Sequence, residues 1–431
     1  MRPMLIAPVL FMVAVEGLFA QRIQARFVTS AYAWQRQDTV GTSSNHLYGY
    51  QSVQLSVAQN DLSLHTYLQG FNDFAGPLKN DPKLRLYNLY VKWGNIASMA
   101  DVSLGRQFVW GGAGSGTIDG INASVKLMDS RIRLKGYYGS LTPPGMKGSL
   151  IENASENNMF GGQAVLAPFE IGQLSVSYVR KSILPSAYKA TRRDSLFNPY
   201  QREIRPSASI EELVSGDLSA DYEGVVPVSA YLRYDYDVNL KQMSRFQFFT
   251  RVKPIDRLGL TVEYLQREPR ISFNSIFSVF AYNSLKEYDF SAEYEVVPAL
   301  QVYGKYGEVA FEGETSNQYT VGVNWRYVSA SASRITGYNG KINAASLNAG
   351  YPLMDNMLTP TVMLTYGRYK LNQYQTKRDV ALAAGVGVMY RPMQFLSVDT
   401  QLQWIQNTIY KNDVRLFLRG SYFLNERLNL F

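Results

Sequence analysis

Two histidines and no cysteine leave this 431-residue chain with few side chains suited to catalysis. His46 lies at the edge of a predicted loop, and His65 shares a polar strand face with Ser63. A serine hydrolase needs a histidine that an acid orients beside an activated serine, and no Gly-x-Ser-x-Gly sequence occurs here. Cysteine and histidine are also the usual ligands of transition metals. We therefore expect no catalytic residue, no metal site, no cofactor and no enzymatic activity.

Charged side chains recur at every second position of several segments. In the run that begins at Arg131, the basic residues Arg133 and Lys135 alternate with Ile132 and Leu134. Successive residues of a β-strand point to opposite faces, so a period of two separates charged from apolar side chains. A charge that faces lipid near the membrane midplane costs about 2 to 4 kcal/mol. If these strands cross a membrane, their charged faces must line the interior.

The residues that this pattern predicts to line a pore are all charged. They are Lys126, Arg131, Arg133, Lys135, Arg233, Asp235, Asp237, Arg245, Arg251, Lys253, Glu263, Glu287, Asp289, Glu293 and Glu295. Two interpretations stay open. In one, positive and negative walls remain apart, and their transverse field orients polar solutes and selects ions. In the other, neighbouring charges such as Arg251 and Glu293 pair locally and only fill the lumen.

The elements that must carry these residues are strands. Apolar and polar residues alternate from about Ile23 onward, and no convincing helical periodicity offers a layer to cover the apolar sheet face. Such a sheet can bury its apolar face in lipid if it closes on itself. We predict an all-β fold: a closed antiparallel transmembrane β-barrel with short periplasmic turns and longer extracellular loops.

The turns and loops set the expected number of strands. Counting the segments between them gives 22 strands, with a range of 18 to 22 because two assignments carry less weight than the others. These are the segment from Ile210 to Glu223 and the hairpin from Ala330 to Tyr351. We expect the barrel to occupy residues 21–431 as one domain.

The first residues are typical of an export signal, with Arg2 ahead of an apolar stretch from Met4 to Val15. We expect residues 1–20 to be removed by cleavage after Ala20. No later stretch reaches the roughly 18 apolar residues of a transmembrane helix. The net charge is +8, which favours anions slightly, but the basic residues are spread along strands, so we expect no nucleic-acid binding. We assign the aromatic content of 13% to two girdles at the membrane–water interfaces.

Two predicted loops stand out by composition. The loop from Ser182 to Ser209 can fold into the lumen, as one does in porins, or lie on the surface, which we favour. The loop from Glu268 to Ser284 holds six large apolar residues, too many to leave in water. It can enter the barrel mouth, touch the outer leaflet, bind a partner or extend the flanking strands.

A glycine-rich segment follows Gly105, Arg106 and Gln107. It is not a phosphate-binding loop, because it lacks the Gly-Lys-Ser/Thr ending and no helix follows. Arg106 falls on the apolar face unless a bulge at Gly105 turns it inward, and we expect that bulge because arginine in lipid is costly. A Gly-Arg-Gln strand that leads into a glycine-rich loop resembles a segment of porin-like and alginate-export-like barrels. The resemblance implies passive passage of hydrophilic solutes.

The last predicted strand, from Asp413 to Phe423, and the terminal Phe431 resemble the C-terminal aromatic signal that barrel-assembly machinery recognises. That machinery, outer-membrane lipid and small polar solutes are the expected partners, and the oligomeric state stays open. We expect a Gram-negative outer-membrane, porin-like channel for passive diffusion of hydrophilic or ionic small solutes through a charged lumen.

The alternative is a closed structural or partner barrel in a surface-polymer export or secretion assembly, which the apolar loop from Glu268 to Ser284 favours. Energy-coupled import is disfavoured, because no segment of plug size precedes the first predicted strand.

Overall fold

The computed structural model describes residues 22–74, 76, 83–269, 284–338, 340–371 and 375–426. The predicted export signal, most of the predicted loop from Glu268 to Ser284, and the terminal Phe431 lie outside these residues.

The described chain is almost entirely strand. In chain order, the strands are Arg22–Asp38 (β1), Ser43–Gln59 (β2), Leu62–Asp73 (β3), Leu84–Ile96 (β4), Ala100–Gly111 (β5), Gly114–Leu127 (β6), Ile132–Leu141 (β7), Asn158–Phe169 (β8), Gly172–Ile183 (β9), Tyr188–Arg193 (β10), Pro199–Ile204 (β11), Ser209–Tyr222 (β12), Val228–Asp237 (β13), Gln242–Ile255 (β14), Leu258–Arg267 (β15), Leu285–Val297 (β16), Leu300–Phe311 (β17), Glu314–Trp325 (β18), Val328–Gly337 (β19), Gly340–Gly350 (β20), Leu358–Lys370 (β21), Asp379–Met393 (β22), Leu396–Gln406 (β23) and Tyr410–Glu426 (β24).

Twenty-two of these strands form one closed antiparallel sheet, as the sequence predicts. Each wall strand pairs with its neighbours in chain order, β9 pairs with β12, and β24 pairs with β1 from Ile23 opposite Glu426 to Asp38 opposite Tyr410. The two weakly supported assignments are confirmed as β12 and the hairpin of β19 and β20. Each wall strand has 10 to 17 residues, enough to cross a bilayer core when tilted.

The two ends of the cylinder differ in their connections. At the end where β1 begins and β24 finishes, every connection is a short turn, the longest being 351–357. Connections of ten or more residues occur only at the other end, at 74–83, 142–157, 184–208 and 268–284. We call these ends the short-turn end and the long-loop end.

The hairpin of β10 and β11 forms a separate two-stranded sheet within the connection 184–208. Its strands pair with each other and not with the wall, and most of their side chains are exposed. This matches a surface loop better than a constriction inside the lumen.

Each wall strand has one apolar and one polar face. On β16, Phe290 and Tyr294 are exposed on one face, while Asp289 and Glu293 alternate with them on the other. The polar face is the inner one, because a hairpin folded inside the cylinder contacts it at Ser177 of β9. Among the described residues, no helix is long and apolar enough to span a membrane.

Candidate functional site: the inner wall

The hairpin of β5 and β6 leaves the wall near its tip. Within residues 83–269, all of which the structure describes, β5 pairs with β4 only as far as Arg106, and β6 pairs with β7 only as far as Ile118. The two strands stay paired with each other up to Gly111 opposite Gly114. The tip therefore has no backbone pairing with β4 or β7, and it bends away from the wall.

The bent tip lies in the lumen, where three wall strands hold it. The backbone N–H of the residue after Gly112 donates to Ser177 Oγ on β9 at 2.7 Å, and Arg233 Nη2 on β13 donates to the Gly112 carbonyl at 3.1 Å. Lys135 Nζ on β7 donates to the Trp110 carbonyl at 2.6 Å. The tip is thus tied across the inner face of the wall from β7 to β13.

An apolar cluster lies between the tip and the wall. Its buried members are Val109, Ala113, Ile118, Tyr137, Met159, Val179 and Leu213. A Cβ atom on Gly114 would overlap Val179, and one on Gly112 would overlap Ser177. Gly112 also has φ +60°, a conformation that favours glycine. The glycines therefore let the hairpin backbone approach the wall closely.

Arg106 sits where the hairpin departs from the wall, and its side chain is fully buried. Its Nε and Nη2 donate to the two carboxylate oxygens of Asp119 at 2.6 and 2.8 Å. It also donates to the carbonyls of Leu86, Lys147 and Ser149. The connection 142–157 therefore covers Arg106, next to the place that the hairpin has vacated.

The expectation of a β-bulge at Gly105 is wrong. The pairing of β5 with β4 and with β6 continues through Gly105 without a register shift. Arg106 keeps the strand parity of Leu104, which is 63% exposed on the outer face. Arg106 avoids lipid because the chain folds over it and Asp119 neutralises it, and no inward turn is needed.

Many of the predicted charged residues meet on the inner face of β13 to β17. Arg233 Nε lies 2.8 Å from Asp235 Oδ1, and Lys305 Nζ lies 3.0 Å from Asp289 Oδ2. A separate ion pair joins Arg251 to Glu293.

A further set of inner-face contacts in this region involves the side-chain amide of Gln247. Gln247 receives a hydrogen bond from Arg245 and donates one to Glu263 at 2.8 Å. Within the described part of the chain, Glu263 and Glu287 form no salt bridge. The interpretation of local pairing therefore holds for some of the charged residues of this wall, but Glu263 and Glu287 form no ion pair with any residue that the structure describes.

The basic residues of β6 and β7 behave differently. Lys126, Arg133 and Lys135 line a cavity together with Trp110, below the hairpin tip. None of the three forms a salt bridge to a described carboxylate, and Arg133 donates instead to Gln173 Oε1 at 2.8 Å. This cluster lies six or more strands away from the acidic residues of β15 and β16.

Four predicted residues lie at or near strand ends. Arg131 precedes β7 in a turn, and Asp237 ends β13, where it accepts a hydrogen bond from the Leu240 backbone at 2.9 Å. Lys253 and Glu295 are exposed near the ends of β14 and β16.

Aromatic rings dominate the inner face from β24 through β1 to β4. Toward the long-loop end the rings are Tyr32, Trp34, His46, Tyr48, Tyr50, Phe71 and Phe417, with centroids of neighbouring rings 4.4 to 6.3 Å apart. Toward the short-turn end, the stacked pairs are Tyr67 with Tyr87 at 4.6 Å and His65 with Tyr90 at 4.8 Å. We call these eleven rings the aromatic track.

The parity of β1 places the track on the inner face. Tyr32 lies opposite Phe417 of β24, and Trp34 lies opposite Arg415. The alternate residues of β24, such as Leu416 and Leu418, are exposed on the outer face. Aromatic residues also lie on the outer face. The two predicted girdles would consist of such outer residues, so they do not explain the rings of the inner face.

The two histidines belong to this track. His46 Nε2 lies 2.9 Å from Asp73 Oδ2, and its ring stacks on Trp34. His65 Nε2 lies 2.9 Å from Ser63 Oγ, and within the described residues no carboxylate bonds to this histidine. No group of three or more histidine, aspartate or glutamate side chains in the described part of the chain could hold a metal ion.

Comparison with solved structures identifies the architecture. The chain superimposes on the ferric enterobactin receptor PfeA of Pseudomonas aeruginosa with a TM-score of 0.59 and 9% identity, covering 93% of this chain and 80% of that one. The fold is that of an outer-membrane β-barrel. The P pilus usher PapC gives a TM-score of 0.49 at 9% identity, covering 92% of this chain and 99% of that chain. No protein-family model and no curated protein sequence matches the chain.

Proposed function

We propose that the protein is an outer-membrane channel through which hydrophilic or ionic small solutes diffuse passively. A barrel of 22 strands about 4.8 Å apart and tilted by about 40° has a backbone diameter of roughly 40 Å. Side chains on the inner wall narrow that bore but do not fill it. The described segment that folds inward is the β5–β6 hairpin, which lies against one side.

The observation that carries this proposal is the inner-face charge that forms no ion pair in the described part of the wall. Lys126, Arg133 and Lys135 lack a carboxylate partner among the described residues, and so do Glu263 and Glu287. Burying charges that form no ion pair is costly, so these groups need water around them. A hydrated lumen meets that requirement and gives polar solutes a route. Export by residues 1–20 and assembly into the outer membrane belong to the same proposal.

Conductance in planar bilayers tests the channel. The purified barrel is inserted after heat-modified electrophoretic mobility has verified its folding, and current is recorded at fixed voltage. Stepwise ohmic increments are expected, with reversal potentials in a salt gradient that report a slight preference for anions. A folded barrel that produces no steps would contradict the channel and favour a closed structural or partner barrel.

Swelling of proteoliposomes gives the size limit. Neutral sugars of increasing mass are added outside vesicles that contain the protein, and the swelling rate should fall as solute size rises. Vesicles with the same lipid and no protein are the control. Equal rates in both samples would exclude passive diffusion of hydrophilic solutes.

A further inference from the structure

We propose that the aromatic track binds a linear, uncharged oligosaccharide. This assigns a substrate class to the proposed channel and rests on that function, because the ligand reaches the track through the lumen. The starting observation is that the track lies on the wall face that is otherwise polar. Rings such as Tyr32, Trp34 and Tyr48 are half-buried there, with part of their surface turned to the lumen.

Ring stacking alone explains only part of this arrangement. Cross-strand aromatic pairs stabilise a sheet by about 0.2 to 1 kcal/mol each. The same pairs could form on the outer face, where lipid surrounds them and their rings are not exposed to water. Apolar rings on a wall that faces water are stabilised further when another apolar surface covers them and removes their faces from water. From β7 to β13 the chain supplies that cover itself with the β5–β6 hairpin, and from β24 to β4 no described segment does.

The groups beside the rings identify the ligand. Gln24, Gln54 and Asn88 line a cavity together with Tyr67 and Tyr90. Amide side chains both donate and accept hydrogen bonds, so they suit hydroxyl groups that do the same. Each pyranose ring combines an apolar face of C–H groups with a rim of hydroxyls, which matches rings flanked by amides.

Most charged groups along the track already have a partner, which favours an uncharged ligand. Arg26, in the same cavity as the amides, lies over the Phe423 ring at 5.1 Å, and a single carboxylate serves both Arg36 and Arg415. Arg36 and Arg415 both contact Asp413, at 3.1 and 2.7 Å. His46 faces Asp73, and Arg419 pairs with Asp399 at 2.9 Å. The unpaired basic residues of β6 and β7 lie on a different part of the wall, so an acidic polymer would find its countercharges elsewhere.

The length of the track favours several linked sugars over one. Along β3 it extends over seven residues, from His65 to Phe71, which is about 20 Å for six steps at the usual rise of a strand. The track therefore covers much of the path between the two ends of the cylinder. A linear oligosaccharide could contact successive rings as it moves, and a monosaccharide could contact only one or two.

Binding to the full, detergent-solubilised barrel tests the proposal without requiring conductance. Maltohexaose and cellohexaose are titrated by calorimetry, with glucose and a polyethylene glycol of similar mass as comparisons. At least one hexasaccharide should bind ten times more tightly than glucose. If neither binds more tightly than glucose or the polyethylene glycol, the proposal is overturned.

Variants then locate the site. The double variant Trp34→Leu with Tyr48→Leu should weaken hexasaccharide binding at least tenfold, and Tyr48→Phe, which keeps the ring, should change it less than threefold. Tyr234→Leu, on the outer face, is the matched control and should leave binding unchanged. Electrophoretic mobility before and after heating verifies that each variant is folded. Unchanged affinity in the folded double variant would place the sugar elsewhere and reject the track.

The two proposals fail separately. If hexasaccharides bind but the barrel carries no current, the channel function is wrong and the track remains a binding site. If ohmic steps appear and hexasaccharides neither bind nor interrupt the current, the channel stands and the assigned substrate class is wrong.

Discussion

The two sides of the lumen bury apolar surface in different ways. From β7 to β13 the chain covers its own inner wall with the β5–β6 hairpin, and Val109 and Ile118 beneath the tip are fully buried. From β24 to β4 no described segment covers the wall, and the apolar surface consists of stacked rings. The first side therefore behaves like the core of a soluble protein. The second side leaves part of its ring surface turned to the lumen.

Glycine and tyrosine account for this difference. The hairpin can approach the wall because Gly112 and Gly114 have no side chains to collide with Ser177 and Val179. The wall from β24 to β4 carries large rings instead, and neighbouring rings stack on one another.

The largest expected effect comes from removing the anchor of the covered side. Arg106→Ala leaves Asp119 buried without its partner, and breaking one half of a buried ion pair costs about 3 to 5 kcal/mol. Unfolding by urea in detergent micelles should show this loss as a lower transition midpoint. The control is Arg251→Ala, whose pair with Glu293 is 41% and 30% exposed and should contribute no more than about 1 kcal/mol. Equal losses in the two variants would mean that the hairpin is held by other contacts.

The next effect comes from displacing the hairpin tip. Gly114→Val forces side-chain atoms into Val179, and overpacking of this kind costs about 1 to 3 kcal/mol. Because the tip should leave its seat on the wall, single-channel current is expected to become larger or noisier. Gly136→Val is the matched control, since a Cβ atom there meets nothing within 4 Å. A quiet, unchanged current in Gly114→Val would show that the tip does not shape the conducting path.

A smaller effect is expected from the charges that flank the covered side. Arg133→Gln combined with Lys126→Gln should move the reversal potential toward cation preference, and Glu263→Gln combined with Glu287→Gln should move it toward anions. We expect changes of about twofold in the permeability ratio, because salt screens charges beyond about 8 Å at 0.15 M. Shifts of the same sign in both double variants would reject the interpretation of separate positive and negative walls.

The smallest effect concerns the turn of the β10–β11 hairpin, in the connection that follows β9 on the covered side. Hydrogen bonds from the Asn198 and Leu196 backbone lower the pKa of Asp194. A lowered folded-state pKa means that the turn is stabilised above the unfolded pKa and loses that contribution as pH falls. The protection factor for amide exchange at Asn198, which corrects the measured rate for its intrinsic pH dependence, should therefore be higher near neutral pH than below about pH 4. Asp194→Asn should flatten this dependence, and an unaltered pH profile in that variant would contradict the assignment.

Local alternation was enough to predict the wall. Each strand face follows from a period of two, so residues such as Asp289 and Phe290 could be placed on opposite faces from sequence. The less certain strand β12 was also predicted from its own alternation, with Val214 and Leu218 on one face and Asp217 on the other. The count of 22 strands follows from these local patterns and from the turns between them.

The segments that fold into the lumen are held by contacts between residues that are distant in sequence. The alternation of apolar and polar residues within a strand carries no information about such contacts. Arg106 has the parity of an outward residue, and only the connection 142–157 folding over it explains its burial. The sequence showed that residues 111, 112 and 114 are glycines, but nothing in it indicated that their backbone approaches Val179 and Ser177.

The aromatic track could have been detected. In β1, Tyr32 and Trp34 share their parity with Arg26 and Arg36, which puts rings and charges on one face. Counting all aromatic residues together concealed this, because the total suited two interfacial girdles. Sorting the rings by strand parity would have separated the inner ones from those facing lipid.

The junction of β1 and β24 passes through the aromatic track. Tyr32 and Phe417, whose ring centroids lie 4.5 Å apart, come from opposite ends of the polypeptide and meet only once the cylinder has been sealed. An incompletely assembled barrel would therefore present half of the ring surface. Any molecule that needs both halves would distinguish finished barrels from unfinished ones during biogenesis.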